Sequence, residues 1–196
     1  MKLPNRTQLF SQRHAAARVF TFLCLCWLSA QPAHTADVPR AKRDGAHDFD
    51  FDLGVWRTHI TRRLHPLTGS DETIQLTGTV TVRKLWDGRA QVEEIEADGP
   101  KGHWEGMTVF LYDREACQWS MNFANSSVGR FTTPMTGGFE NGRGELISQD
   151  TLDGRWILVR GVWSNITPTS HTYQESYSAD GGRTWEVVFT ATKTKA

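Results

Sequence analysis

The stretch GELISQDTLDGRWILVRGVWS, residues 144–164, decides the fold. At its centre lies Asp153-Gly154, one of the strongest short signals for a β-hairpin, because a type I′ turn needs positive φ at both central residues. The runs on either side are rich in β-branched and aromatic residues, which favour strands. The stretch therefore predicts two antiparallel strands, Gly144–Asp150 and Arg155–Ser164, joined by a tight turn.

The same kind of turn signal recurs at Asp87-Gly88-Arg89, at Asn141-Gly142-Arg143 and at Asp180-Gly181-Gly182-Arg183. Short runs with period two fill the rest of the chain, and no long helical pattern interrupts them. Ten such strands at regular spacing predict an all-β fold, an antiparallel meander barrel or a sandwich. The remaining strands are predicted near Gly54–Leu64, Thr73–Leu85, Ala90–Ala97, Trp104–Tyr112, Gln118–Asn125, Gly137–Glu140, Ser170–Ser178 and Thr184–Thr192.

Some segments carry further detail. In Thr73–Val82 apolar and threonine side chains alternate, which indicates a strand with one solvated face, and Gly78 inside it suits a bend. By contrast, Trp104–Tyr112 and Arg155–Trp163 are apolar on both faces. We expect the leader or a second subunit to cover the outer faces of these two strands. A homodimer is therefore one interpretation. Phe49, Phe51 and Leu53 suggest a short helical turn or an extended plug.

Residues 1–36 have the three regions of a secretory signal peptide. A basic segment without acids precedes the apolar run Val19–Leu28, and small residues follow up to Ala36. The run is too short to span a membrane comfortably. We therefore expect cleavage near Ala36, a flexible leader over residues 37–46, and a single β-barrel domain over residues 47–196. The mature protein would be periplasmic or secreted.

Removal of that segment changes the charge and the cysteine content. It holds four of the 22 Lys and Arg residues and none of the 22 acids, so the mature chain would carry a net charge of −4. This charge argues against a nucleic-acid partner and against an anionic membrane surface. Only Cys117 of the three cysteines would remain, so the mature chain would have no internal disulfide.

The segment from His47 to Trp56 carries a Phe-x-x-Gly-x-Trp pattern, and the motif Asp-Gly-Gly-x-Thr-Trp occurs late in the chain at Asp180–Trp185. With the stretches at residues 86–89, 122–127 and 141–144, these motifs resemble an uncharacterised family of exported bacterial proteins, a calycin-like family of unknown function. The resemblance covers roughly residues 46–193. It implies a calycin-like barrel in which Gly54 and Trp56 are structural residues, and it implies no activity.

Two smaller resemblances sharpen that expectation. The Gly54-x-Trp56 pattern is similar to that of lipocalins, fatty-acid-binding proteins and haem-binding nitrobindins, in which the Trp closes the barrel base. The C-terminal strand has no late histidine to bind haem, which counts against a nitrobindin-like protein. Residues 178–185 resemble the Asp-box of sialidase propellers, in which the Asp braces a hairpin. One copy cannot build a propeller, so Asp180 and Trp185 are predicted to be structural.

The candidate ligand-binding residues are two glutamates, one arginine and two aromatic residues. Arg160 shares a strand face with Leu158 and Val162, so we expect it to be partly buried and paired with Glu94 or Glu175. Glu93 and Glu94 lie on opposite faces of one strand, so one of the strand's glutamates points inward. Trp104 and Trp119 could form an aromatic platform for a ligand.

The residues indicate no metal site and no cofactor, since the mature histidines form no close pair and no phosphate loop or Cys-x-x-Cys motif is present. Three hypotheses for the function remain. The first is binding of a small apolar or amphipathic ligand without catalysis. The second is a barrel enzyme, an isomerase, cyclase or hydrolase that uses an inward Glu/Arg pair. The third is a structural envelope module with a filled core.

Overall fold

The computed structural model describes residues 43–196, and they form ten β-strands with very little helix. Two short 3-10 turns, at Asp50–Asp52 and Trp86–Gly88, are the helical elements of this region. The strands are β1 (Gly54–Arg63), β2 (Thr73–Leu85), β3 (Ala90–Gly99), β4 (Gly102–Asp113), β5 (Gln118–Asn125), β6 (Met135–Glu140), β7 (Arg143–Leu152), β8 (Arg155–Ser164), β9 (Ser170–Ser178) and β10 (Glu186–Lys195).

The strands close into one antiparallel barrel. Each strand pairs with the next along the chain, and β1 pairs with β10 to complete the ring. The closing register places Thr58 opposite Lys193. The predicted all-β meander barrel of about ten strands is confirmed, and each of the ten described strands has a paired neighbour on both sides.

Two of the four predicted turns have the type I′ conformation, whereas residues 86–88 form a 3-10 turn and positive φ falls on Gly181 and Gly182 at the fourth. Asn141 and Gly142 have φ values of 51° and 75°, and Asp153 and Gly154 have values of 50° and 75°. Positive φ at both central residues is the mark of a type I′ turn. This confirms the interpretation of residues 144–164 as a hairpin, with strand ends within two residues of those predicted.

The largest difference in strand boundaries concerns β10, which begins at Glu186 instead of the predicted Thr184 and ends at Lys195 instead of Thr192. The reason is the turn before it. Asp180 accepts hydrogen bonds from the backbone N–H groups of Arg183 and Thr184, both at 3.0 Å, and from the Thr184 hydroxyl at 2.7 Å. These bonds hold Thr184 in the turn, so the strand starts later.

Two glycines allow neighbouring strands of the barrel to approach closely. A Cβ atom at Gly78 would lie 1.9 Å from the carbonyl oxygen of Glu96, and one at Gly137 would lie 2.1 Å from that of Glu145. No other residue fits at such distances, so the close approach of the neighbouring backbone requires glycine at both positions.

Residues 45–53, which we call the plug, fill one end of the barrel. Phe49 is fully buried. Its ring centroid lies between 4.5 and 5.1 Å from those of Phe110, Trp119, Phe139 and Trp163. The backbone of Gly45 also bonds to the barrel, donating to the Tyr112 hydroxyl at 2.8 Å and accepting from Trp119 Nε1 at 2.9 Å. We call this end the base and the opposite end the mouth.

The predicted signal peptide and leader residues 37–42 lie outside the described residues. Within residues 43–196, no helix is long and apolar enough to cross a membrane.

Candidate functional site

The base of the barrel contains a cluster of four buried titratable side chains, which we call the base cluster: Asp52, Glu93, His171 and Lys193. Lys193 donates to both carboxylate oxygens of Asp52 at 3.2 Å and also to Glu93. His171 Nε2 lies 3.0 Å from Asp52 Oδ1, although it makes no well-aligned hydrogen bond. Thr108 completes the cluster by donating to Glu93 at 3.1 Å.

The local structure explains how the sequence places these groups. Asp52 ends the 3-10 turn of the plug, so the turn points its carboxylate into the barrel. Lys193 and His171 face each other across the β9–β10 pair. Glu93 projects from β3 into the barrel interior towards Lys193. The cluster therefore ties the plug to three strands that are distant along the chain.

Burial and pairing act against each other on the pKa values in the base cluster. Burial alone would raise the pKa of Asp52, but Lys193 and His171 outweigh it, and the net pKa is lowered. For Glu93, burial dominates and the pKa is raised despite Lys193. Burial would lower the pKa of Lys193, but the two carboxylates raise it. Lys193 is therefore charged, and Asp52 is its ionised partner.

No side chain of the base cluster is open to solvent: Asp52, His171, Lys193 and Glu93 are 0%, 1%, 3% and 6% exposed. The plug covers them from below, and Trp56 packs edge-on against His171 at a centroid distance of 4.8 Å. A ligand could reach the cluster only if the plug left the barrel. The base cluster is therefore a structural site.

The mouth is different, because its inward-facing aromatic side chains are only partly buried. Trp104 and Phe123 stack with ring centroids 6.2 Å apart, and Tyr173 and Phe189 lie 6.1 Å apart on the β9–β10 side. Trp104, Phe123 and Phe189 pack against the core while part of each remains exposed. These rings form an apolar surface that can be reached from the mouth.

Glu175 lies among these aromatic side chains, on the same face of β9 as Tyr173 and Tyr177. The Tyr173 hydroxyl donates to Glu175 Oε2 at 3.2 Å. Part of the Glu175 side chain is exposed, yet protein surrounds most of it, and this burial raises its pKa. Burial and the nearby Glu175 likewise raise the pKa values of Tyr173 and Tyr177. We call Tyr173, Glu175 and Tyr177 the mouth cluster.

The structure separates the charged residues that the sequence predicted to pair. Arg160 faces outward on β8, and its guanidinium carbon lies 4.1 Å from the ring centroid of Trp185. It forms no ion pair with Glu94 or Glu175, so the predicted pairing is wrong. The reason is geometric, since Glu175 faces the interior while Arg160 faces outward. The ring of Trp185 supplies the cover that the arginine needs.

Glu94 also points outward. It is exposed and lines a groove of about 630 Å³ on the outer face of the barrel, beside Glu96 and Met107. Its neighbour Glu93 is the inward glutamate of β3. The alternation of the strand was correctly predicted, but the choice of Glu94 over Glu93 was wrong, because the face of Val92 is the outer one.

The predicted aromatic pair is divided between the two ends. Trp119 is 1% exposed and packs against the plug, whereas Trp104 lies at the mouth.

At the base, Gly54 has a φ of 109° and Trp56 donates to the carbonyl oxygen of Asp52 at 2.7 Å. Asp180 and Trp185 brace the β9–β10 turn, where Trp185 Nε1 donates to Gly182 at 3.0 Å.

Sequence reasoning missed Asp52, His171, Lys193 and Tyr173. The signal for Lys193 was present, because it shares a strand face with the apolar Phe189 and Ala191. The partners of these residues could not be predicted, since they come from the plug, β3 and β9. Within residues 43–196, no group of three or more His, Cys, Asp or Glu side chains is placed to hold a metal ion.

Comparison with known proteins supports the architecture. No family model and no curated protein matches this chain. Among solved structures, the barrel is similar to the S-type phycobiliprotein lyase CPES from Guillardia theta, with a TM-score of 0.53 and 11% identity over 79% of this chain and 94% of that one. This likeness shows the fold alone, a calycin-like barrel.

Designed barrels give weaker matches. The fluorescence-activating barrel EF1p2_mFAP2b, solved with DFHBI bound, has a TM-score of 0.44 and 10% identity over 78% of this chain and 99% of that one. A fluorescence-activating β-barrel designed de novo has a TM-score of 0.41 and 12% identity over 79% of this chain and 100% of that one.

Proposed function

We propose that this protein binds a small apolar or amphipathic ligand at the mouth of its barrel, without catalysis. One observation carries the proposal. The base is sealed by the plug, whereas aromatic side chains at the mouth face inward and remain partly exposed. Concave sites lined by aromatic residues with a few polar groups are the usual form of small-molecule sites.

The arrangement of the mouth suits a flat or amphipathic molecule. Trp104 and Phe123 offer one aromatic surface, and Phe189 offers another on β10. Aromatic side chains bury large areas with few rotatable bonds, so binding against them loses little conformational entropy. Glu175 and the tyrosine hydroxyls are the polar groups that would orient the ligand.

The second hypothesis, a barrel enzyme, depended on an inward Glu/Arg pair. Because Arg160 faces outward over Trp185, it does not form that pair with an inward glutamate. The third hypothesis, a filled structural barrel, fits the base, where the plug fills the interior. It predicts that the mouth binds no small molecule, so one binding experiment distinguishes it from our proposal.

We also propose that the protein is exported, with residues 1–36 removed as a signal peptide. The order of basic, apolar and small-residue regions supports this proposal. N-terminal sequencing of the protein recovered from its own cells should give a start near Asp37. Intact Met1 in the final product would contradict export by cleavage.

Binding at the mouth can be tested by fluorine NMR of protein labelled with 5-fluorotryptophan, titrated with the neutral probe 1-naphthalenemethanol. The signal of Trp104 should shift during the titration. Trp156, which is 69% exposed on the outer face, and Trp119 in the base are internal controls and should not shift. Single Trp→Phe variants assign the three signals. Unchanged signals, or a shift at Trp156 alone, would contradict the proposal.

A further inference from the structure

We infer that the ligand bound at the mouth is an organic cation, an amine carried on an apolar or aromatic body, with Glu175 as its counter-charge. This inference rests on the proposed function. It follows from a contrast between the inward carboxylates. Asp52 and Glu93 both contact Lys193, whereas Glu175 has no salt-bridge partner within residues 43–196.

The partners of Glu175 are hydroxyl groups and do not balance its charge. Tyr173 donates to it at 3.2 Å, and Tyr177 adds a second phenol on the same strand face. Enclosing a carboxylate in protein without an ion-pair partner is costly, and burial accordingly raises the pKa of Glu175. An ammonium group beside Glu175 would supply the missing charge.

The surrounding rings favour the same ligand class. Tyr173 and Tyr177 flank Glu175 on β9, and Phe189 packs near Tyr173. The faces of aromatic rings attract cations, most strongly where water is excluded. A carboxylate set among aromatic rings therefore recognises an amine by two independent interactions.

Two other charged groups act on Glu175 from neighbouring strands. Arg62 on β1 lowers the pKa of Glu175, and Asp150 on β7 raises it. Arg62 is exposed, and Asp150 is only partly buried. Their charges cancel, so the mouth with Glu175 ionised carries one net negative charge. That charge fits a monocation and disfavours an anion.

The proton balance of binding is simple. The ligand enters as an ammonium ion and keeps its proton, and any Glu175 that is protonated in the free protein releases its proton to solvent as it ionises. Affinity for the cation should therefore rise with pH until Glu175 is ionised in the free protein. Affinity for a neutral ligand of the same shape should not change over that range.

Isothermal titration calorimetry with three probes that share a naphthalene ring tests the inference. The probes are 1-naphthylmethylamine, 1-naphthalenemethanol and 1-naphthoic acid. The amine should bind about ten-fold more tightly than the alcohol at neutral pH, as expected for one charge-assisted hydrogen bond. The acid should bind most weakly. Glu175→Gln should remove the preference for the amine, so that the amine and the alcohol bind with similar affinity. Glu94→Gln, on the outer face, is the matched control and should keep the preference.

The outcomes are distinct. If none of the probes binds, the proposed function fails. If the alcohol binds but the amine shows no preference, or if the preference survives in Glu175→Gln, the cation inference fails and ligand binding stands. Tighter binding of the acid would also overturn the inference and would point to Arg62. Circular dichroism of each variant establishes that the barrel is folded in every comparison.

Discussion

The two ends of this barrel are built from the same ten strands, yet they differ in how their inward carboxylates are paired. At the base, four titratable side chains are buried together, and Lys193 contacts both carboxylates. At the mouth, Glu175 has only hydroxyl groups as hydrogen-bond partners among the described residues, and it remains partly exposed. The comparison shows that buried charge by itself does not mark a functional site. A charge paired within the protein holds the fold together, and an unpaired one near solvent is available to a ligand.

The base cluster need not make the protein more stable than an apolar core would. Removing charges from water is costly, and a well-packed apolar replacement of a buried ion pair is often neutral or stabilising. The cluster does specify one position of the plug, because Asp52 contacts Lys193 and His171 only when Phe49 lies among the aromatic rings at the base of the barrel.

The largest effect is expected from breaking the base cluster. Lys193→Met would leave Asp52 and Glu93 buried without a cation, at a cost of about 3–5 kcal/mol in unfolding free energy. Urea denaturation at neutral pH measures it. Lys101→Met, at an exposed turn position, is the control and should change stability by less than about 0.5 kcal/mol. A loss at Lys193 no larger than that of the control would show that the cluster is not buried.

A pair of phenylalanine substitutions compares the packing of the two ends. Phe49→Ala should cost about 3–5 kcal/mol, because the side chain is fully buried among four aromatic rings. Phe123→Ala at the mouth should cost clearly less, since part of that ring is already exposed. Both values come from the same denaturation assay. Equal losses would mean that the mouth is packed as tightly as the base and has no room for a ligand.

Substitutions in the hairpin turns should have the same cost at both ends of the barrel, because Gly142 at the base and Gly154 at the mouth both have a φ of 75°. Gly142→Val and Gly154→Val should each cost about 1–2 kcal/mol, the penalty for a residue with a Cβ in this conformation. Gly138→Val is the control, since its φ is not in the left-handed region and its Cβ would meet open space. If thermal melts of the two turn variants match that of the control, the turn type is wrong.

The smallest effect is a difference in pH dependence. The lowered pKa of Asp52 means that its stabilisation is present above its unfolded value of about 3.9 and is lost as pH falls through the folded value. Asp52→Asn should therefore lower the melting temperature at pH 5–7, and this penalty should shrink only below about pH 4.

Glu175 should behave in the opposite way. Its raised pKa means that it favours the folded state below its unfolded value of about 4.3, and that this stabilisation is lost as pH rises through the folded value. Between about pH 4 and pH 7, the melting temperature of Glu175→Gln should therefore rise relative to that of the parent protein. Parallel pH profiles for the two variants would contradict the assignment of paired and unpaired carboxylates.

The sequence by itself determined the ten antiparallel strands. Its turn signals depend on local backbone conformation, as at Asp153-Gly154, and the period of two along each strand is also local. Ten antiparallel strands joined by short turns have few ways to pair other than with their neighbours. Local information was therefore sufficient for the strands, their order and the brace formed by Asp180.

Only the tertiary structure decided which face of each strand points inward and which charges meet. Alternation separates Glu93 from Glu94 but does not show which one is inside, and the choice depends on the closure of the whole sheet. Lys193 and Glu93 are 100 residues apart in sequence and meet through the barrel interior. Arg160 lies on the outer face of β8, where Trp185 from the β9–β10 hairpin covers it. Such contacts are set by the shape of the closed barrel, which no local pattern encodes.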